Sequence, residues 1–454
     1  MIGRLRETLY GITGRNRYTL YKQYRDMQFL PRKELLKRQF QMLSAMLRHA
    51  YETVPYYREK FEALKITPED IRSFDDFRHF PVLTRQNIQD NLPGLLSSAV
   101  PETMRRLNSS GGTTGNPISF YTDTNVITIM EGTWLAALSF AGWTPSDMVC
   151  SIWGNPKEST DTVINAGLKQ WLSGRIVLNG YHYNAADMHN WLNLFKKFRR
   201  VFLYGYVSVL TDLADYIHES GASVSHVHGV LTSAERLYPA QRKKIQAALG
   251  CGVYDQYGCR EVPGIASECA KGGMHLLTHS AYTEFLPLED AHSTALEDIK
   301  LEDTAGLRRI VVTGLHNRAM PLIRYENGDF GAPAGGDCVC GRNTPLMRMG
   351  VGRVGGSLRL LDGSRLYSSI FVHQVFNLDG ISQFQFRQIA PDQVILYIVK
   401  GPRFNDTSAA KLRELQVTFP KNLCPGIQLE LHYVDEVPRT PAGKHRHVVC
   451  EIEL

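Results

Sequence analysis

The chain has 454 residues, 43% of them hydrophobic and 21% charged, and a formal net charge of +6. That length exceeds one simple domain and leaves room for a large core. A charge this mild over this size sets nucleic acid aside as a partner. No window is apolar enough to span a membrane, the N-terminus lacks a signal peptide's apolar stretch, and the eight cysteines are scattered rather than framed. The expectation is a cytoplasmic protein with reduced thiols, whose Arg- and Tyr-rich first residues form a solvated helical surface.

From Pro31 the run "PRKELLKRQFQMLSAMLRHAYETV" places Leu35, Leu36, Phe40, Leu43 and Leu47 at helical spacing. The spacing predicts a helical N-terminal segment over 1–81. From Arg106 to about Leu249 strands and helices alternate. "DMVCSIWG", "GRIVLNGY", "RVFLYGY" and "VHGVLTS" read as strands. "AADMHNWLNLFKKF", "VSVLTDLADYIHES" and "PAQRKKIQAALG" read as helices, the last two closed by Gly221 and Gly250. Such alternation implies an α/β class with a parallel sheet, whose ligands sit at the carboxyl ends of the strands. Residues 253–351 read as a β-rich part without a long helix. After the glycine cluster of "GVGRVGGSLRL" the segment 353–454 reads as a small α+β domain: "ISQFQF", "QVILYIVKG" and "IQLELHYV" as strands, "TSAAKLRELQVTF" as a helix.

Four patches carry chemistry. In "RLNSSGGTTGNPISFYTD" the residues Ser109, Ser110, Gly111, Gly112, Thr113, Thr114 and Gly115 form a ribbon of glycines and hydroxyls. Glycines let successive N–H groups face one point, which suits a polyphosphate, although no Gly-Lys-Ser/Thr closes a Walker A loop. In "VYDQYGCREV" an aromatic ring at Tyr257 precedes Arg260 and Glu261; a purine can stack on the ring, and the carboxylate can hold Mg2+ beside phosphates. In "MPLIRYENGDFG" the carboxylate of Asp329 sits in a turn and can accept from two ribose hydroxyls. In "EVPRTPAGKHRH" Lys444 follows a Thr-Pro-Ala-Gly turn, a place from which an ammonium can enter a site. Each alone is also an ordinary turn, strand end or tail lysine.

Taken in order, these patches together with "LRHAYETVPYYREKF", "LTSAERL", "GRVGG" and "GISQFQFRQ" make the chain resemble the adenylate-forming enzymes, in particular phenylacetate–coenzyme A ligase-like proteins of the CapK-type (capsular polysaccharide) branch. The resemblance implies a large N-terminal adenylation domain, 1–352, and a small mobile C-terminal domain, 353–454. It implies an ATP-dependent ligase that makes an acyl-adenylate and passes the acyl group to coenzyme A, or else to an amine or hydroxyl. A non-catalytic nucleotide-binding protein on the same scaffold is the rival. By resemblance, Ser109 to Gly115 cradle the phosphates, and Ser233, Ala234 and Glu235 border the adenine. Tyr257 lies near the base, Glu261 binds Mg2+, Asp329 and Arg353 address the ribose, and Lys444 serves adenylation. Apart from the resemblance, Tyr206 and His182 stand at strand ends and are candidates to line the acid pocket, with a satisfied structural histidine the favoured alternative for His182.

The sequence departs from that family at several places. Arg353 is followed by Val354, Gly355 and Gly356 where an Asp pair is typical. Arg260 stands where Ser or Thr precedes the glutamate, and its guanidinium is free to bind phosphate or substrate carboxylate. Asn116 replaces a common Lys. Separately, Cys269 and His275 in "ECAKGGMHL", with Cys338 and Cys340 in "DCVCGR", offer three thiolates and an imidazole, a set suited to closed, structural Zn2+. Spacing alone leaves buried structural cysteines as the equal alternative; a Cys/His set at matching places in some relatives favours zinc. The acid and the oligomeric state are not legible.

Overall fold

The structure is a computed structural model and describes residues 2–12, 16–109, 118–153, 168–180, 183–287, 307–350, 357–361, 365–367, 372–376, 378–437 and 446–452. The chain opens with helices α1 (Ile2–Ile12), α2 (Arg17–Met27), α3 (Arg32–Thr53), α4 (Pro55–Leu64), α5 (Phe74–Phe77) and α6 (Arg85–Asp90). A hairpin β1 (Arg105–Ser109), β2 (Ser119–Asp123) flanks the glycine-rich ribbon, and α7 (Val126–Phe140) follows. Then come β3 (Met148–Trp153), α8 (Leu168–Ser173), β4 (Arg175–Asn179), α9 (Ala185–Phe195), β5 (Val201–Tyr206), α10 (Val207–Ser220), β6 (Val227–Ser233), α11 (Pro239–Leu249) and β7 (Gly252–Tyr257). Six further strands, β8 (Ala266–Glu268), β9 (Met274–Leu276), β10 (Ala281–Leu286), β11 (Arg308–Gly314), β12 (Tyr325–Ala334) and β13 (Leu346–Met349), complete one 11-stranded sheet.

The sheet order is β10-β11-β12-β13-β9-β8-β7-β6-β5-β3-β4, parallel from β4 to β7 and antiparallel beyond. The parallel half follows from the alternating pattern, because each crossover helix covers a sheet face. α9, α10 and α11 bury one face with Cys150, Ile152, Leu203 and Val230, and α7 with α2 bury the other around Val149, Phe202 and Leu231. Gly221 and Gly250 close α10 and α11 in the left-handed region, at φ 62° and 64°, a conformation that costs a glycine nothing.

Two parts differ from the sequence reading. α7 was not anticipated, because it is apolar nearly all round and shows no single stripe. The N-terminal helices are not a solvated surface. Arg6 is 1% exposed, and its guanidinium donates to the carbonyls of Trp171, Pro145 and Asp147. Arg17, Tyr18, Tyr21 and Tyr24 are buried as well. Arg17 donates to Ser173 O at 2.7 Å and lies over the Tyr10 ring, Tyr21 packs edge-on against Trp143 and Tyr24 stacks on His279, so long amphipathic side chains serve as core.

The last hundred residues carry β14 (Ser357–Arg359), β15 (Arg365–Tyr367), β16 (Ile381–Ala390), β17 (Gln393–Lys400), β18 (Gln428–Tyr433) and β19 (Val448–Cys450), with helices Val372–Phe376 and Asp406–Thr418. β18-β17-β16-β19 form a four-stranded sheet over a separate core that includes Phe384, Phe386, Leu396, Leu412 and Phe419. Among the described residues, no helix is long and apolar enough to cross a membrane.

Candidate active site

The sheet topology fixes where a ligand belongs. β3 connects outward to β4 and then back across to β5, so the chain reverses direction between the carboxyl ends of β3 and β5. Crevices in open α/β sheets form at such a switch. Trp153, the last residue of β3, stacks on Tyr206, the last of β5, with ring centroids 4.2 Å apart, and on Tyr204 at 5.2 Å. The sequence reading picked out Tyr206; Trp153 was missed because one aromatic at a strand end carries no signal by itself. His182 lies outside the described residues.

Ser233 and Tyr257 end the neighbouring strands β6 and β7, which places them beside the same crevice. Ala234 follows at φ 69°. A non-glycine residue there is strained by ~1–2 kcal/mol, and the strain turns its peptide groups out of the ladder. The Glu235 carboxylate does not point freely at a ligand. It accepts from Ser208 N at 2.7 Å and from Ser208 Oγ at 3.1 Å, capping the start of α10. Any contact that Ser233 to Glu235 make with a base therefore falls to backbone and to Ser233.

Tyr257 and Asp329 are joined directly. The buried phenol donates to Asp329 Oδ2 at 2.9 Å and accepts from Asn327 Nδ2 at 2.7 Å, while Asn327 Oδ1 accepts Asp329 N at 3.0 Å. In the sheet order β12 stands four strands from β7, or roughly 19 Å if the sheet were flat. The hydrogen bond therefore requires the antiparallel half to curl back over the crevice. Burial pushes the Tyr257 phenol up, with Asp329 beside it adding to the shift. Asn327, which the sequence reading passed over as part of a turn, holds the pair together.

Glu261 is 4% exposed. Its Oε1 accepts from Tyr325 OH at 3.2 Å, and among the described residues its Oε2 has no hydrogen-bond partner. A buried carboxylate oxygen left without a donor is costly in a folded protein, so this oxygen fits a group that arrives with the ligand, and Mg2+ suits it. The preceding Arg260 is exposed and donates to Ser109 O at 3.0 Å. That contact brings Glu261 to the start of the glycine-rich ribbon, across 151 residues of sequence. Ser110 to Gly115, Arg353 and Lys444 lie outside the described residues.

The strand bearing Asp329 is fixed by the N-terminal segment. Tyr57 OH donates to Pro321 O at 2.8 Å and accepts Ile323 N at 3.0 Å. Arg324, also left-handed at φ 50°, forms a buried two-point bond to Glu284, Nε to Oε2 and Nη2 to Oε1, each at 3.0 Å, and donates to the carbonyls of Arg78 and Phe80. These bonds make Arg324 a structural clamp.

A second cluster lies against the end of α7. The ligand atoms of Cys269, His275, Cys338 and Cys340 all lie within 4.8 Å of one another. Cys269 Sγ is 3.6 Å from Cys338 Sγ, and Cys340 Sγ is 3.3 Å from His275 Nε2. A tetrahedral zinc with Zn–S near ~2.3 Å spaces sulfurs ~3.8 Å apart, so the set fits. His275 Nδ1 meets Thr344 Oγ1 at 2.9 Å, which orients Nε2 toward the thiols. Burial, with Arg342 adding to it, lowers the imidazole to about 4, so it remains the neutral ligand form at neutral pH. A Cβ at Gly273 would stand 2.8 Å from Cys338 Sγ and 3.2 Å from His275 Nε2, so the turn between Cys269 and His275 needs its glycine there. The loop after Cys340 grips the α2–α3 turn. Arg342 Nε donates to Gln28 Oε1 at 2.8 Å, Asn343 N donates to Gln28 O at 2.8 Å, and the Arg342 guanidinium lies 4.4 Å from the Phe140 ring centre.

Comparison with known proteins agrees with this geometry. Residues 360–451 match the family profile of the CapK C-terminal domain. The phenylacetate–coenzyme A ligase of Escherichia coli (strain K12) is 29% identical over 304 residues, which are 65% of this chain and 67% of the relative. The ligase of the same name from Thermus thermophilus is 26% identical, over 75% of each chain. Protein CapK of Staphylococcus aureus is 21% identical, over 62% of this chain and 59% of its own. Among solved structures, 2-hydroxyisobutyryl-CoA ligase in the postadenylation state superposes with a TM-score of 0.71 at 18% identity, covering 94% of this chain and 91% of its own. Its open conformation, with adenylate and CoA bound, gives 0.58, covering 93% of each chain. The chain is therefore similar to phenylacetate–coenzyme A ligases and to protein CapK, its residues 360–451 match the CapK C-terminal domain, and its fold is that of 2-hydroxyisobutyryl-CoA ligase.

Proposed function

We propose that this AMP-forming acid ligase converts a carboxylic acid and ATP into an acyl-adenylate and pyrophosphate, then transfers the acyl group to coenzyme A. The observation that carries the reading is the buried carboxylate of Glu261, half-partnered among the described residues and drawn by Arg260 to Ser109 at the start of the glycine-rich ribbon. Attack of one anion on another is opposed by charge repulsion, so the site has to gather cations and N–H donors where phosphate oxygens accumulate charge. Mg2+ held by Glu261 would supply such charge when bound. The ribbon would hold the polyphosphate, Ser233 and the backbone of Ala234 and Glu235 the base, and Asp329 with Arg353 the ribose. Lys444, brought by the small domain, would steady the carboxylate and the α-phosphate. The division at 352/353 belongs to this reading, as does zinc in the Cys269, His275, Cys338, Cys340 set.

The Trp153–Tyr206 stack at the chain reversal supports an apolar or aromatic organic part in the acid. Pyrophosphate release from ATP, scanned over aromatic, fatty and amino acids, identifies the acid. Acid-dependent exchange of pyrophosphate into ATP that collapses in Lys444→Ala and Glu261→Gln fits the proposal. Binding of ATP without exchange for any acid in the panel refutes it. Offering coenzyme A, amines and hydroxyl acceptors to the preformed adenylate separates the acceptor classes.

A further inference from the structure

The start of α11 breaks a local rule. The position before Pro239 is a helix N-cap, where Ser, Thr, Asp or Asn supplies a short acceptor. Tyr238 stands there, and its own N–H is met instead by Gln241 Oε1 at 3.2 Å. The ring does other work. It packs against the hydrophobic core of the C-terminal domain. Its ring centre lies 6.5 Å from that of His447, edge to face at 83°. On the large-domain side the Arg236 guanidinium covers the ring at 5.4 Å and donates to the carbonyl of Gly350, the last described residue before the glycine-rich linker. Burial pushes the Tyr238 phenol up despite the nearby Arg236 charge.

One short segment therefore begins with Ser233 and Ala234 at the proposed base-binding edge, holds the approach to the linker through Arg236, and ends with Tyr238 against the small domain. His447 is itself fixed. Its ring lies 4.7 Å from that of Phe384, and its carbonyl accepts Phe386 N at 2.8 Å, just ahead of the β16–β19 pairing. Lys444 stands three residues before His447 in the sequence, so whatever anchors His447 limits where Lys444 can reach. We infer that Tyr238 is a positioning residue for adenylation: its ring is the wedge through which the base-binding segment sets the small domain that carries Lys444. The inference rests on the reading that Lys444 serves adenylation.

A proton or charge need not move through Tyr238, so ring packing should suffice. Tyr238→Phe is expected to keep pyrophosphate exchange within about twofold. Tyr238→Thr restores an ordinary cap, leaves α11 properly started and removes the wedge. Misplacing a reacting group by ~1 Å can cost up to ~100-fold, so exchange should fall roughly 10- to 100-fold in kcat, with KM for ATP and for the acid chosen by the panel little changed. Transfer of the acyl group from preformed adenylate, which does not need Lys444 in place, should change by less than about threefold. In a Lys444→Ala background, Tyr238→Thr should add nothing. Without any acid or nucleotide, trypsin should cut the linker at Arg353 several-fold faster in Tyr238→Thr and at the parent rate in Tyr238→Phe.

The inference is overturned if Tyr238→Thr exchanges within twofold of the parent, if both half-reactions fall together, or if the loss adds to that of Lys444→Ala. A Lys444→Ala enzyme that still exchanges would sink the lysine assignment instead, and the trypsin arm would still report on the wedge.

Discussion

Tyr257→Phe removes one oxygen and leaves the ring. In the parent that oxygen donates to Asp329 Oδ2 at 2.9 Å and accepts from Asn327 Nδ2 at 2.7 Å. All three residues are at least nine-tenths buried, so water does not readily replace it. A hydrogen bond to a charged group is worth ~1.5–3 kcal/mol, and a buried donor left alone costs ~1–3 kcal/mol. The substitution should therefore lower the unfolding free energy by about 2–3 kcal/mol. If Asp329 holds the ribose hydroxyls, a loosened carboxylate weakens ground and transition states alike. Pyrophosphate exchange over a range of ATP concentrations should show KM for ATP raised roughly tenfold, the equivalent of about 1.4 kcal/mol, with kcat nearly unchanged. An unchanged KM together with an unchanged denaturation midpoint would refute the coupling of Tyr257 to Asp329. A fall in kcat alone would move the phenol from nucleotide binding to the chemical step.

Purified protein should carry about one zinc per chain by elemental analysis, and Cys338→Ser should lose the metal and lower the melting temperature; metal-free protein of parent stability would contradict the cluster's role. Glu284→Gln strands the Arg324 guanidinium, which is buried beside Phe80 and Arg78, and should cost about 3–5 kcal/mol in a denaturant titration, whereas a loss below 1 kcal/mol would show that the clamp is dispensable. Burial raises Asp255 from 3.8 to about 7, against the bond from Thr232 Oγ1. Its folded form keeps a proton that the unfolded chain has released, so stability declines as pH climbs from about 4 to 7 and is flat above. Asp255→Asn should therefore gain melting temperature over the parent at pH 8 relative to pH 5, and an equal difference at both pH values would place the carboxyl in the ordinary range.

Much of the parallel half can be read from local signals. Alternating strands and helices, and the glycines at 221 and 250, mark the ends of α10 and α11 within a residue or so. The same patterns place Ser233 and Tyr257 at strand ends, where a ligand belongs. What local patterns cannot carry is contact across the chain. Asp329 looks like an ordinary turn residue until the curl of the sheet brings Tyr257 to it. Nothing local to Arg324 shows that Glu284 and two carbonyls, remote in sequence, take up its donors. Arg6 looks like a surface charge, yet its buried guanidinium meets three carbonyls remote in sequence. α7 is the converse case: buried on several sides, it lacks the one-sided stripe by which an amphipathic helix is recognised. The gathering of Cys269, His275, Cys338 and Cys340 was legible because residue chemistry narrows the choice of partners even for positions as far apart in sequence as Cys269 and Cys338.

Acid-dependent incorporation of labelled pyrophosphate into ATP, compared between the parent and Glu261→Gln over a range of Mg2+ concentrations, tests the central claim most directly. The account predicts vigorous exchange in the parent with one class of acid and a loss of at least tenfold in the variant, offset in part by higher Mg2+. Exchange at the parent rate in Glu261→Gln, with the same dependence on Mg2+, would contradict it.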